Sequence, residues 1–180
     1  MWVWEAVEPQ EQWIPMYTSP YWTYTEFDPI RVQIQLAAID PAQLGEHLER
    51  ERERMRRSAA SGRRIYLILD ARNSERPSPE VRKLQAEWMQ AERELIAQSC
   101  VGMGFVVPNR VVRGALTAIF WVVDTPVQHQ VHADLDEALN HALGVCDGLG
   151  LRPPLAARHP QAGAQLELAY RRALAHREAL

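Results

Sequence analysis

Lysine is almost missing from this sequence: Lys83 is the only one, and every other basic residue is arginine. No glycine-rich loop precedes Lys83, so a phosphate-cradling nucleotide loop, which needs its lysine, is disfavoured. The arginine bias reads as genomic base composition. Cysteine is scarce as well. Cys100 and Cys146 have no metal-type spacing and sit among apolar neighbours, which reads as buried thiols in a reducing compartment. HExxH, CxxC and G-x-S-x-G are all absent, and Gly102-Met103-Gly104 lacks a third glycine and opens no helix, so metal and triad enzymes lose most of their ground. Long hydrophobic runs are lacking too. No stretch reaches the ~20 apolar residues of a membrane span, and Met1–Glu11 has neither early positive charge nor a leader's apolar region. The expectation is a cytoplasmic protein with no membrane span. A net charge of −3, with basic groups interleaved among acids, sets up no field for a phosphate backbone and excludes nucleic acid as a partner.

What is present suits an ordinary folded domain: 47% hydrophobic and 24% charged residues. Residues 1–21, rich in Trp, Pro and Tyr, read as an aromatic arm with a short strand at Trp2–Val7. Trp22–Phe27 and Ile30–Ile39 read as a hairpin turning at Asp28-Pro29, with Ile30, Val32, Ile34 and Leu36 buried and Arg31, Gln33 and Gln35 wet. Asp40-Pro41 starts a helix to about Ala60, with Leu44, Leu48 and Met55 inward and Glu49, Glu51 and Glu53 outside among arginines. Ile65–Leu69, apolar throughout, is the central strand. Ser78-Pro79 opens a helix through Val81, Leu84, Trp88, Ala91 and Leu95.

Val101–Val107 is a further strand, whose Gly102 and Gly104 allow close approach of a helix. Val111–Val123 reads as a nearly all-apolar helix, Val127–His132 as a short strand, and Asp134 with Glu137 as a capping box for the helix that follows. The domain is placed at residues 22–150. Residues 151–180 form a Pro-rich linker and a last helix with Leu166, Tyr170, Ala173 and Leu174 on one side, and the core is expected to survive deletion of 152–180. The order β-β-α-β-α-β-α-β-α predicts an α/β fold with a mixed, mostly parallel sheet and flanking helices.

His129 and His132 fall on opposite faces of their strand and read as surface histidines, not a metal pair. The acids Asp134, Asp136 and Glu137 read as helix capping. One place suits binding: the segment Asp70–Pro79 lies between a strand's carboxyl end and a helix N-terminus, where ligands gather in open α/β sheets. Ser78 at the N-cap is a candidate phospho-acceptor, with Arg72, Arg76 and Arg82 close in sequence. The candidate partner-binding set is Asp70, Arg72, Asn73, Ser74, Arg76 and Arg82.

The pattern Ile65-Tyr66-Leu67-Ile68-Leu69-Asp70-Ala71-Arg72, with Ser78-Pro79, Trp88, Val101–Val107, Arg110–Trp121 and Asp136-Glu137-Ala138-Leu139, resembles the STAS fold, and within it the STAS/Sec14-like domains similar to anti-sigma-factor antagonists. The resemblance covers about residues 20–147. It implies a non-catalytic regulatory module in bacterial signalling, and a phosphorylatable serine after the central strand, a place that Ser78 matches. The family's Asp-Ser-Ser-Gly motif is replaced here by Pro77, Pro79 and Glu80 around Ser78. The expectation is therefore a protein-interaction module, not an enzyme, with no cofactor or metal, whose partner is another protein or a second copy of itself. Two alternatives stand beside it: a binder of an apolar or lipid-like ligand walled by Val111–Trp121 and the N-terminal tryptophans, and an assembly component using the terminal segments.

Overall fold

The computed structural model describes residues 17–73, 77–108 and 125–178. The expected strand at Trp2–Val7 and helix at Val111–Val123 lie outside them. The chain is α/β: a six-stranded mixed sheet, mostly parallel, in the order β1-β2-β3-β4-β5-β6. The strands are β1 Tyr17–Thr18, β2 Trp22–Phe27, β3 Ile30–Gln35, β4 Ile65–Asp70, β5 Cys100–Val106 and β6 His129–His132. The first three pair antiparallel, and β3 to β6 run parallel. β4 is therefore interior, as its unbroken apolar run requires.

Helix starts follow the caps written in the sequence. Helix α1, Pro41–Ala60, begins where Asp40 and Gln43 cap each other: the Gln43 N–H donates to Asp40 Oδ1 at 2.8 Å, and the Asp40 N–H donates to Gln43 Oε1 at 3.0 Å. Helix α2, Pro79–Ala91, begins at Ser78, whose hydroxyl accepts from the Val81 N–H at 3.2 Å. The single helix expected through Leu95 is broken at Glu92, and α3 runs Arg93–Ser99. Helix α4, Leu135–Gly148, is capped by Asp134, which accepts from the Glu137 N–H at 2.8 Å. The Glu137 carboxylate reaches back to the Ala133 N–H, one residue before the cap.

Side-chain alternation splits the sheet between two cores. Ile30, Val32 and Ile34 of β3, Tyr66 and Ile68 of β4 and Val106 of β5 pack with Leu135, Leu139 and Cys146 of α4. On the other face Ile65, Leu67, Met103 and Phe105 pack with Met55 of α1 and Ile96 of α3, while Leu44 and Leu48 meet Val81. The last helix, α5 Ala162–Glu178, belongs to the first of these cores: Leu166 is 0% exposed, and Tyr170 and Ala173 are buried with it. The apolar side of α5 that could have recruited another protein is covered within the chain itself.

Two readings of the sequence are corrected. The face of β3 expected to be wet is buried along its length, because α1 lies over it. Glu51, placed outside by its neighbours' alternation, is 3% exposed and points into that layer. The glycines of β5 also admit something other than a helix. A Cβ at Gly102 would lie 2.9 Å from Cε2 of Tyr66, and one at Gly104 3.3 Å from the same ring, so the pair makes room for the fully buried Tyr66 of the neighbouring strand.

Candidate functional site

At the carboxyl end of β4, Asp70 is 2% exposed and points to the α4–α5 side, in register with Ile34 and Val106. Burial alone would push its carboxyl up, and the guanidinium of Arg72 works against that. Arg72 donates through Nε to both carboxylate oxygens, at 3.0 and 2.8 Å, and its own N–H donates to Oδ1 at 3.1 Å. The same guanidinium pairs with Glu167 of α5 and lies 4.9 Å from the centre of the Tyr170 ring. Asn73 completes the cluster, donating to the Tyr170 hydroxyl at 2.5 Å. Asp70, Arg72 and Asn73 are thus brought together as an ionic and aromatic latch that fastens the loop after β4 to α5. Glu167 and Tyr170 were absent from the sequence-based set. Tyr170 stood on the apolar side of its helix, and nothing local in the sequence ties position 170 to position 72.

Ser74 and Arg76 lie outside the described residues. Beyond them the chain presents Ser78, Pro79 and Glu80, all exposed, with Arg82 half-buried and donating to the Pro77 carbonyl at 2.8 Å. Glu80 occupies the helix start electrostatically. Hydrogen bonds from its own backbone N–H and from the Ser78 hydroxyl hold its carboxyl below the ordinary range. A phosphate on Ser78 would replace that hydroxyl donation with repulsion, so the added charge would drive Glu80 off the helix end it now caps.

A second polar assembly lies between α1 and the β2–β3 hairpin. Trp22, Tyr24 and Glu26 face Gln35, Gln33 and Arg31 across the strands, and His47, Glu51 and Arg54 descend from α1. His47 is sandwiched: its ring stacks 4.0 Å from Trp22, its Nδ1 lies 2.6 Å from the Tyr24 hydroxyl, and its Nε2 lies 2.8 Å from Gln33 Nε2. With the Gln33 amide donating, Nε2 must accept and Nδ1–H must donate to Tyr24, which only a neutral imidazole can do. Burial, with Arg54 and Arg50 nearby, lowers its pKa to about 3. Glu51 pairs with Arg54 at 2.6 Å, Arg31 pairs with Glu26 at 3.3 Å, and Arg54 caps the Tyr24 ring at 3.9 Å. Buried Gln33 Oε1, Arg31 Nη1 and Glu51 Oε2 have no hydrogen-bond partner. A periodicity of 3.6 does place Leu44, His47, Glu51, Met55 and Ser58 on one stripe of α1, and that was the available signal.

The thiols of Cys100 and Cys146 are both buried, which pushes each up to about 11 and keeps them protonated. The histidines of β6 separate as the strand period requires. His129 is exposed, 2.9 Å from the Thr125 hydroxyl and edge-on to Phe105. His132 is not the surface residue that was expected: it is 2% exposed, on the α4 side.

No family model, no curated protein and no solved structure matches the chain.

Proposed function

We propose that the protein is a non-catalytic protein-interaction module of bacterial signalling that docks its partner on the exposed start of α2, Ser78 to Lys83, with phosphorylation of Ser78 as the control. The observation that carries this reading is the contrast between the two halves of the loop. Its first half, Asp70, Arg72 and Asn73, is spent inside the molecule on Glu167 and Tyr170, while Ser78 at its far end is exposed, its hydroxyl engaged only with the first turn of the helix it caps. A rigid anchor followed by an exposed, charge-sensitive helix end suits recognition, because little ordering entropy is lost on docking. The resemblance to anti-sigma-factor-antagonist STAS domains supports the same placement. Within this reading Asp70, Arg72 and Asn73 set the position of the surface, while Ser78, Glu80 and Arg82 touch the partner.

The test uses affinity capture with the intact chain, followed by measured affinities of the captured partner for Ser78→Ala and Ser78→Asp. Phosphorylation mimicry is expected to shift affinity by about tenfold, the ~1–2 kcal/mol of one or two charge-assisted contacts, with Ser78→Ala near the parent. Equal affinities for the parent and both variants would overturn the switch.

A further inference from the structure

We propose that His132 is an acid-sensitive switch built into the edge of the sheet: its imidazole takes up a proton only when β6 and the start of α4 part to let water in. The geometry around the ring carries this. His132 is 2% exposed, and neither Nδ1 nor Nε2 has a hydrogen-bond partner. Neutral, the ring leaves one donor and one acceptor unmet, a cost that a folded chain tolerates. Charged, it would bury two N–H donors and a positive charge with no acceptor, which costs far more. Both nitrogens are closed to solvent, so the cation cannot be hydrated while the contact stays shut.

The groups that face the ring leave that cost in place. On α4, Asp134 accepts from the Glu137 N–H and Glu137 accepts from the Ala133 N–H, so both carboxylates are engaged at the helix start. His141, farther along α4, has its ring centre 5.2 Å from that of His132 and opposes a positive charge there. On β4, the Tyr66 hydroxyl and His132 Cδ2 crowd the same side of Gly104, yet that hydroxyl bonds neither nitrogen. Burial pushes it up to about 12, so it carries no negative charge. On β5, Gly104 and Val106 offer no ionisable group. Burial first and His141 second hold His132 below its ordinary 6.5, with Glu137 and Asp134 pulling less strongly the other way. The place favours opening. β6 has four residues and, among the described residues, pairs with β5 alone. Short edge strands part at a lower free energy than the whole chain unfolds. Once parted, the hydrated ring regains its ordinary value, so the closed form's advantage is full above pH 6.5 and is lost as pH falls below it.

The experiment follows hydrogen exchange of the full chain, residue by residue, at about pH 7.5 and 5.5, with each rate corrected for the intrinsic pH dependence of amide exchange. Two amides report whether β6 is attached: the Val107 N–H donates to the His132 carbonyl at 3.1 Å, and the Met103 N–H donates to the Gln128 carbonyl at 2.9 Å. Their protection is expected to fall several-fold on acidification, with about tenfold as the ceiling for one proton over this range. In His132→Phe, whose ring is near in size and takes no proton, the fall is expected to vanish. The opening leaves Ser78 and His47 in place, so neither the docking surface on α2 nor the titration of His47 enters the result. An equal fall in parent and variant, or none in the parent, overturns the switch. Because His132→Phe changes a buried position, the parent's own ring is followed as well: its NMR signals are expected to show a neutral imidazole for as long as the Val107 amide is protected. A cationic His132 ring beneath a protected Val107 amide overturns the switch equally.

Discussion

A chain ended after Leu151 is expected to lose its cooperative unfolding transition, or to unfold at a much lower urea concentration than the full chain. The reason lies in what α5 contributes. Leu166 is fully buried and Tyr170 nearly so, and each side chain of that size contributes roughly 1.5–3 kcal/mol by leaving water. Their removal also uncovers Leu135, Leu139 and Ala142 of α4, which share the same cluster. The total loss is on the order of 5 kcal/mol or more, against the roughly 5–15 kcal/mol by which a native domain of this kind stands above its unfolded state. Leu166→Ala in the full chain should keep the fold while costing about 2–5 kcal/mol, which separates loss of packing from loss of chain. A truncated chain that melts with the full one would show that α5 rests on the domain without supporting it.

His47→Gln should flatten the acid side of the stability profile. The folded His47 holds its pKa near 3, below the 6.5 of the unfolded chain, so its neutral form contributes stability that is fully present above pH 6.5. That stability is lost as pH falls from 6.5 toward 3, because the unfolded chain takes up a proton that the folded one refuses. Between pH 7.5 and 4.5 this one group removes about 2–3 kcal/mol. Glu51 and Asp70 act in the opposite sense: burial raises both carboxyls, so the stability they contribute is present at acid pH and lost as pH rises through their folded values. The comparison of parent with variant isolates His47 from both. Urea midpoints at pH 7.5 and 4.5 should show the parent's advantage over His47→Gln shrinking by about 2–3 kcal/mol on acidification, and parallel profiles would mean that His47 is not held neutral.

The elements were largely legible because their signals are local. Asp40-Pro41 and Ser78-Pro79 announce helix starts through caps that need only the next three residues, and the apolar run of β4 needs a sheet interior wherever it falls. The candidate cluster after β4 was legible in part. Asp70 and Arg72 stand at the carboxyl end of β4 and Ser78 at the start of α2, as the order of elements requires, but Glu167 and Tyr170 arrive from nearly a hundred residues away, and sequence spacing carries no trace of that. The polar layer beneath α1 was misread for a related reason. Arg31, Gln33 and Glu51 look solvated one by one, and their pairing with Glu26, Arg54 and His47 offsets part of the cost of burial, with one polar atom of each left unpartnered. His132 shows the same limit, since strand alternation gives its face and not the helix that covers that face.

Asp70 and Arg72 fix one end of a loop whose other end opens α2 at the exposed Ser78. Hydrogen exchange of the chain with and without its captured partner tests the docking surface most directly. Slowed exchange at the amides of residues 80–84 on complex formation, with α1 and the β1–β2 edge unchanged, is the predicted result. Protection confined to those other surfaces, with the start of α2 exchanging as in the free protein, would contradict it.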